Sequence, residues 1–137
     1  MVRPVLAVLL AVLVAGCTHA PLNEMPITDV AWRPVWLEGS EFPASPVNGE
    51  AAYLRLGDGR VQGFGGCNLI AGGYHQAGHQ ISLSRMISTR RACIAGMELE
   101  HAFLKALEKV SSWKRQGNLL HLYDKDERLL LKMEASQ

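Results

Sequence analysis

From Val30 to Trp36 the residues alternate, with Val30, Trp32, Pro34 and Trp36 on one side and Ala31, Arg33 and Val35 on the other. A period of two is the mark of a half-buried strand. Pro34 has no N–H to donate, which predicts an edge strand or a strand with a bulge. Phe42 to Gly49 holds two prolines and an Asn-Gly pair and reads as a loop. Ala51–Leu56, then Gly57-Asp58-Gly59, then Arg60–Gly65 predict a β-hairpin with a Gly-rich turn. A second hairpin is expected from Gly73–Gln76, a turn near Ala77-Gly78, and His79–Leu83. Met86–Thr89 reads as a further short strand.

The period changes at Glu98. Leu99, Ala102, Phe103, Ala106, Leu107 and Val110 recur at helical spacing as one apolar stripe, which predicts a helix over Glu98–Val110. Glu98 and Glu100 in its first turn, with Lys105 and Lys109 toward its end, match the helix dipole. Its polar face carries both signs, so a helix packed on a sheet is expected in preference to one lying on a membrane. Ser112–Gln116, a Gly117-Asn118 turn, Leu119–Tyr123, an Asp124–Glu127 turn and Arg128–Met133 predict a closing meander. The class expected is α+β, rich in short antiparallel strands and with one helix.

The first residues do not belong to that pattern. Arg3 precedes eleven uninterrupted apolar residues, Val5–Ala15, too few to span a membrane and typical of a secretory signal. They lead into Leu13-Val14-Ala15-Gly16-Cys17, similar to the bacterial lipobox, in which small residues admit the peptidase and the cysteine thiol receives lipid. Residues 1–16 are therefore expected to be removed, leaving Cys17 as a lipidated N-terminus that ties the protein to a membrane. Thr18 follows, with no Asp to signal inner-membrane retention, so the expected location is the outer membrane, facing the periplasm. Thr18–Pro26 is polar and aperiodic and reads as a tether, which places residues 17–27 before a domain at 28–135.

Removing 16 of the 137 residues leaves 121 and changes the formal charge from +1 to zero. That balance excludes a protein whose affinity comes from neutralising many phosphates, and no nucleic-acid partner is expected. The charge is unevenly distributed: residues 17–58 sum to −4, residues 59–97 to +4 with no acid, and residues 98–137 to zero. Arg85, Arg90 and Arg91 in the middle block are a candidate basic patch for an acidic partner or anionic headgroups. The alternative is arginines scattered over a solvated surface.

With Cys17 lipidated, Cys67 and Cys93 remain. An oxidising periplasm favours a disulfide between an isolated pair, and two buried free thiols are the alternative. Gly63-Phe64-Gly65-Gly66-Cys67-Asn68 is not a phosphate loop, because Asn68 stands where the third glycine of a dinucleotide fingerprint belongs and no Walker lysine follows. The glycines are expected to serve a tight turn or close backbone approach, which Asn68 can bridge with its amide. No Gly-x-Ser-x-Gly elbow or His-Glu-x-x-His is present. His75 and His79 sit on opposite sides of a predicted turn, so neither a zinc site with Cys67 and Cys93 nor a catalytic Cys–His pair is expected. His101 lies off the apolar stripe and is expected in solvent. Trp32, Trp36 and Trp113 read as core or rim residues. Neither an enzyme nor a cofactor is expected.

Val61-Gln62-Gly63-Phe64-Gly65-Gly66-Cys67-Asn68, Gly73-Tyr74 and Ser88-Thr89-Arg90-Arg91-Ala92-Cys93 together resemble the signature of the META domain family, the heat-shock-protein HslJ-like lipoproteins. That signature has a Gly-Cys-Asn turn, a Gly-x-Tyr hairpin and a Thr-x-x-x-Cys approach to a helix. Glu100, Phe103 and Leu107 resemble the family's helix motif, and Leu119-Leu120-His121-Leu122 with Asp124 its closing strand. Gly63, Gly66, Asn68, Tyr74, Thr89, Glu100 and Phe103 are thus the candidate structural-motif residues. Two departures are Pro34 in the opening strand and Asp126-Glu127-Arg128 where a glycine turn is usual.

The resemblance implies a small antiparallel, partly open barrel with the helix packed against it. It also implies association with heat response and antibiotic tolerance. The function expected is a non-enzymatic envelope lipoprotein, a binding or assembly-assisting module whose partner is an unidentified protein or amphiphile. The alternative is a carrier or sensor of a small amphiphile in a barrel cavity, suggested by likeness to a pilot lipoprotein of secretion systems. A small hydrolase is a distant third.

Overall fold

In the computed structural model, which describes residues 25–43 and 49–136, the first alternating segment forms strand β1 (Ala31–Leu37). Cys17, the signal segment and most of the expected tether lie outside the described residues. Trp32 and Leu37 of β1 point inward and are buried, while Arg33 is exposed. A two-residue strand β2 (Ser40–Glu41) folds back on the end of β1. Next come β3 (Tyr53–Gly57) and β4 (Arg60–Phe64), joined through Asp58-Gly59 with φ of 49° and 72°. Two consecutive positive φ angles match the twist of a two-residue hairpin, and an Asp-Gly pair accepts them readily.

The second hairpin is longer than its sequence pattern indicates. β5 (Leu69–Ala77) and β6 (Gln80–Ser88) turn at Gly78-His79, and Met86–Ser88 continues β6 where a separate strand was expected. The register slips between Ala71 and Gly73, opposite Ser84–Ile87, where Arg85 has φ 53°. That irregularity interrupts the alternation in mid-strand, so one bent strand resembles two short ones. β7 (Ser112–Gln116), β8 (Leu119–Tyr123) and β9 (Leu129–Ala135) complete the expected meander.

The strands pair antiparallel in the order β2-β1-β3-β4-β5-β6-β7-β8-β9, and β1 also pairs β9, closing a ring. β1 is therefore not an edge strand, although at Pro34 it is paired on one side only, with β9. Its bulge is present, because the β1–β9 register slips between Pro34 and Trp36 and the strand bends there. The weak joint is between β6 and β7, which share the single pair Gln80↔Ser112. The connection across that joint is the helix, α1 (Met97–Lys109), which packs along β6.

The helix begins one residue earlier than expected, after Gly96 at φ 90°, and Val110 leaves it with extended geometry. Phe103, Ala106, Leu107 and Val110 enter the core with Trp32, Leu54, Leu56, Leu120, Leu122, Leu131 and Met133. Burying a Phe or Leu side chain contributes roughly 1.5–3 kcal/mol, so these side chains are the main support of a barrel this small. Phe42, in the loop after β2, meets Phe103 edge-on at 5.7 Å. At the end of the barrel where the chain enters, Ile27 is fully buried and its carbonyl accepts the Trp32 indole N–H at 2.9 Å. Arg115 lies over that indole and donates to the carbonyls of Pro26 and Gly117, which secures the start of the domain. Among the described residues no helix is long and apolar enough to cross a membrane.

The turn after β8 does without glycine because Asp124 organises it. Its Oδ1 accepts the N–H groups of Asp126 and Arg128, both at 2.9 Å, and Oδ2 accepts Arg128 Nε at 2.8 Å. The Arg128 backbone N–H, with the other Arg128 and Asp126 bonds, holds its carboxyl below the usual carboxylate range. His121 is also lowered, first by burial and then by Lys132, its cross-strand neighbour. Both groups bind protons less readily when folded than when unfolded. Stability is therefore complete above their unfolded pKa values and declines as the pH falls through the folded ones. Urea unfolding across pH should show a first loss below about pH 6.5 and a second below about pH 4. His121→Gln should remove the first step alone, and Asp124→Asn should weaken the second.

Candidate functional site

Strand β4 ends at Phe64, and the chain must then reverse into β5 within the four residues Gly65-Gly66-Cys67-Asn68. Gly66 does so at φ 109°, a conformation that side-chain-bearing residues rarely adopt. The Gly65 N–H closes the turn on the Asn68 carbonyl at 2.9 Å. The turn aims the Cys67 and Asn68 N–H groups into the barrel mouth, where water cannot satisfy them. Glu100 meets them there, 2% exposed. Its Oε2 accepts Cys67 N–H at 3.0 Å and Asn68 N–H at 2.6 Å, and its Oε1 accepts Asn68 Nδ2 at 2.7 Å.

Asn68 is the hub of this arrangement. Besides its bonds to Glu100, its Oδ1 accepts the Thr89 hydroxyl at 3.0 Å and the Arg91 N–H at 2.6 Å. Thr89 Oγ1 in turn accepts the Leu69 N–H at 3.1 Å. A disulfide joins Cys67 to Cys93 with Cα atoms 6.0 Å apart, so the alternative of two free thiols does not hold. The β4–β5 turn, the β6–α1 connection and the first turns of α1 are thus joined at one point. Every polar group of the Asn68 side chain is used within it, and no buried side-chain polar atom lacks a partner among the described residues.

Of the residues singled out in the sequence, Gly66, Cys67, Asn68, Thr89, Cys93 and Glu100 converge here. Gly63 lies three residues earlier, where a Cβ would collide with the Tyr53 carbonyl oxygen on β3. Its bareness lets β3 and β4 approach. Tyr74 is half-buried on β5, packed against the core, and Phe103 lies inside the barrel. His75, His79 and His101 are exposed, and His79 stacks on Trp113 at 5.0 Å. Among the described residues no group of three or more His, Cys, Asp or Glu side chains is placed to hold a metal.

Arg85, Arg90 and Arg91 are exposed on and beside β6, and none is ion-paired with a described carboxylate. Two features escape a reading of helix polarity. Glu100 reads as a dipole-matching acid, yet it precedes Phe103 and Leu107 by three and seven residues and so lies on the core side of α1. That spacing was the available signal. Exposed Leu69, Ile87, Ile94 and Met97 had no comparable signal.

Among the described residues the largest fully buried side chains fill the inside of the barrel, and its two largest grooves are open to the outer surface. One groove of about 430 Å³, lined by Arg33, Tyr53, Arg55 and Gln62 among others, forms where β1 leaves β3 for β9.

A family model of the META domain matches residues 25–137. Among solved structures, a protein from Burkholderia xenovorans is similar at 24% identity and TM-score 0.66, over 81% of this chain and 84% of that one. A DUF4847 family protein from Bacteroides vulgatus is similar at 14% identity and TM-score 0.59, over 79% of this chain and 93% of that one. At these identities the likeness shows the partly open barrel with its helix. A search of curated proteins finds no match.

Proposed function

Taking as premise that the chain belongs to the META domain family, we propose that it is a non-enzymatic lipoprotein of the bacterial envelope. In this reading Cys17 carries the lipid in the outer membrane, and the barrel is displayed on the periplasmic side as a binding or assembly-assisting module. The observation that carries it is the fate of the chemical groups at the barrel mouth. Glu100, Asn68, Thr89 and the two cysteines are each engaged within the protein, at 2.6–3.1 Å for the hydrogen bonds. A general base or nucleophile must instead reach a proton or an atom of its substrate. Such a cluster serves to hold a shape, and that favours a surface module, with stress or antibiotic tolerance as the expected phenotype. The filled interior favours surface contacts over a ligand carried inside.

Growth with radiolabelled palmitate, followed by membrane fractionation, tests the reading. The wild-type chain should be labelled and recovered with the outer membrane, and Cys17→Ala should be unlabelled and leave it. A wild-type chain that takes up no label, or a variant labelled equally, overturns the lipoprotein assignment. Crosslinking in intact cells should then return a repeated partner. Repeated failure, with a deletion strain unaltered under envelope stress, would count against the binding module.

A further inference from the structure

The same cluster that occupies the polar groups pushes apolar ones outward. Leu69 and Ile87 lie on the outer face of the β5–β6 hairpin, on strands paired through Ile70↔Ser88 and Ala71↔Ile87. They are 58% and 67% exposed, while Ile70 between them takes the core side. The connection from Thr89 to Gly96 is folded back over Asn68 by the Arg91 N–H and by the disulfide. This sets Ile94, beside Cys93, wholly in solvent, with Met97 partly exposed at the start of α1. Arg90 and Arg91 are exposed on the connection between Ile87 and Ile94, and residues 59–97 contain no acid, Glu98 following Met97. The Arg85 guanidinium lies instead beside Gly73, toward the β3–β4 turn. Four exposed aliphatic side chains on a rim with two guanidinium groups that pair with no described carboxylate are unusual for a surface facing only water.

We propose that this rim is a contact surface for anionic lipid headgroups, by which the barrel lies down on the bilayer that anchors it. The inference rests on Cys17 as the attachment point. The aliphatic side chains project from the rim, and among the described residues no Trp or Tyr stands beside them in the chain. Tight protein interfaces centre on aromatic or Arg anchors seated in pockets. A headgroup layer requires only apolar side chains that can dip into it and cations beside them.

Each arginine near an anionic surface is worth about a fivefold gain in partitioning, and two about 25-fold. That is weak for a free protein. A tether converts it to an intramolecular contact at high effective concentration. The geometry allows it. The chain enters the barrel near the β3–β4 turn, where Asp29 N–H bonds the Leu56 carbonyl, and the rim lies at the opposite end, where Phe64 pairs Leu69. The eight residues from Cys17 to Met25 can span at most about 28 Å. Nine-residue β5 measures about 30 Å along its own axis, and strand tilt makes the barrel shorter than that. The tether therefore suffices for the far rim to touch the surface in which its root is fixed.

The test uses the mature chain with the Cys67–Cys93 disulfide intact, so that Cys17 is the free thiol. Coupling Cys17 to a maleimide lipid in vesicles supplies the anchor whether or not cells lipidate it, which separates this proposal from the lipoprotein assignment. The vesicles are phosphatidylcholine alone or phosphatidylcholine with phosphatidylglycerol, each carrying a nitroxide headgroup lipid, and the readout is broadening of backbone amide NMR signals. With phosphatidylglycerol present, signals of Leu69, Ile87, Ile94 and Met97 should broaden far more than those of the β7–β8 turn. High salt, phosphatidylcholine alone or R90Q/R91Q should each abolish the difference, and these exposed substitutions should leave the rest of the spectrum unchanged. Rim signals that stay sharp beside phosphatidylglycerol, or that broaden equally in the double variant, overturn the proposal. So does a rim that avoids the vesicles but is protected by an acidic protein.

Discussion

Glu100→Ala should destabilise the domain by about 3–5 kcal/mol. The substitution leaves the Cys67 N–H, the Asn68 N–H and the Asn68 amide without the acceptor that meets them at 2.6–3.0 Å. Each buried donor left unpaired costs about 1–3 kcal/mol, and the remaining cavity admits water to some of them. Small domains have only about 5–15 kcal/mol of stability, so this one side chain decides a large share of it. Glu100→Gln separates size from acceptor capacity. Its amide N–H₂ must face either the turn N–H groups or Asn68 Nδ2, a donor against a donor in both cases, so most of the loss should persist. Gly65→Ala should act through the same atoms, because a Cβ there would stand 2.5–2.9 Å from the Glu100 side chain and displace it. Urea unfolding of the three variants checks the ordering. A Glu100→Ala variant within about 0.5 kcal/mol of wild type, the range of a surface substitution, would show that the carboxylate is replaceable by water.

Loss of the disulfide is the second large effect. Cys67 and Cys93 are 26 residues apart, and closing a loop of that length restricts the unfolded chain by about 3.5 kcal/mol on the chain-entropy account. For a domain of this size, that should lower the melting temperature by on the order of 10–20 °C. Cys67→Ser with Cys93→Ser, or reduction of the wild type, gives the comparison. The bond also holds the Thr89–Gly96 connection against Asn68, so its loss should coincide with faster hydrogen exchange at Arg91, whose N–H bonds Asn68 Oδ1. Combined with Glu100→Ala, the two changes should be non-additive, because both act on the Cys67-Asn68 turn. A melting temperature unchanged by reduction would place the stability of the rim wholly in the hydrogen bonds.

The meander from Ser112 onward and the helix are legible in the sequence because each is regular. Gly117-Asn118 punctuates two alternating runs, and Leu99 to Val110 keep one stripe. The β5–β6 hairpin was partly hidden, since the irregularity at Arg85 breaks the alternation from which a strand is recognised. Pro34 signalled a bulge, but an edge position could not be distinguished from a bulge before the β1–β9 pairing was known. Glu100 shows the same limit at the site. Its place in the first turn suits a solvent-facing acid, and only the approach of the Cys67-Asn68 turn makes it a buried acceptor.

Local chemistry by itself therefore determined the hairpin turns, the period of each element and the residues that could join a core. It also offered Cys67 and Cys93 as a pair, while the resemblance to the family singled out the Gly-Cys-Asn turn. Tertiary structure alone decided the closure of the ring through β1 and β9, the burial of Glu100 and the outward placement of Leu69, Ile87 and Ile94. The physical reason is sequence separation. A turn or a stripe is an arrangement of neighbours whose preferences act within a few residues. By contrast, β1 meets β9 about a hundred residues along the chain, as loop closure permits at small extra cost. Glu100 reaches Asn68 across 32 residues, and which groups meet at such distances depends on all the packing between them.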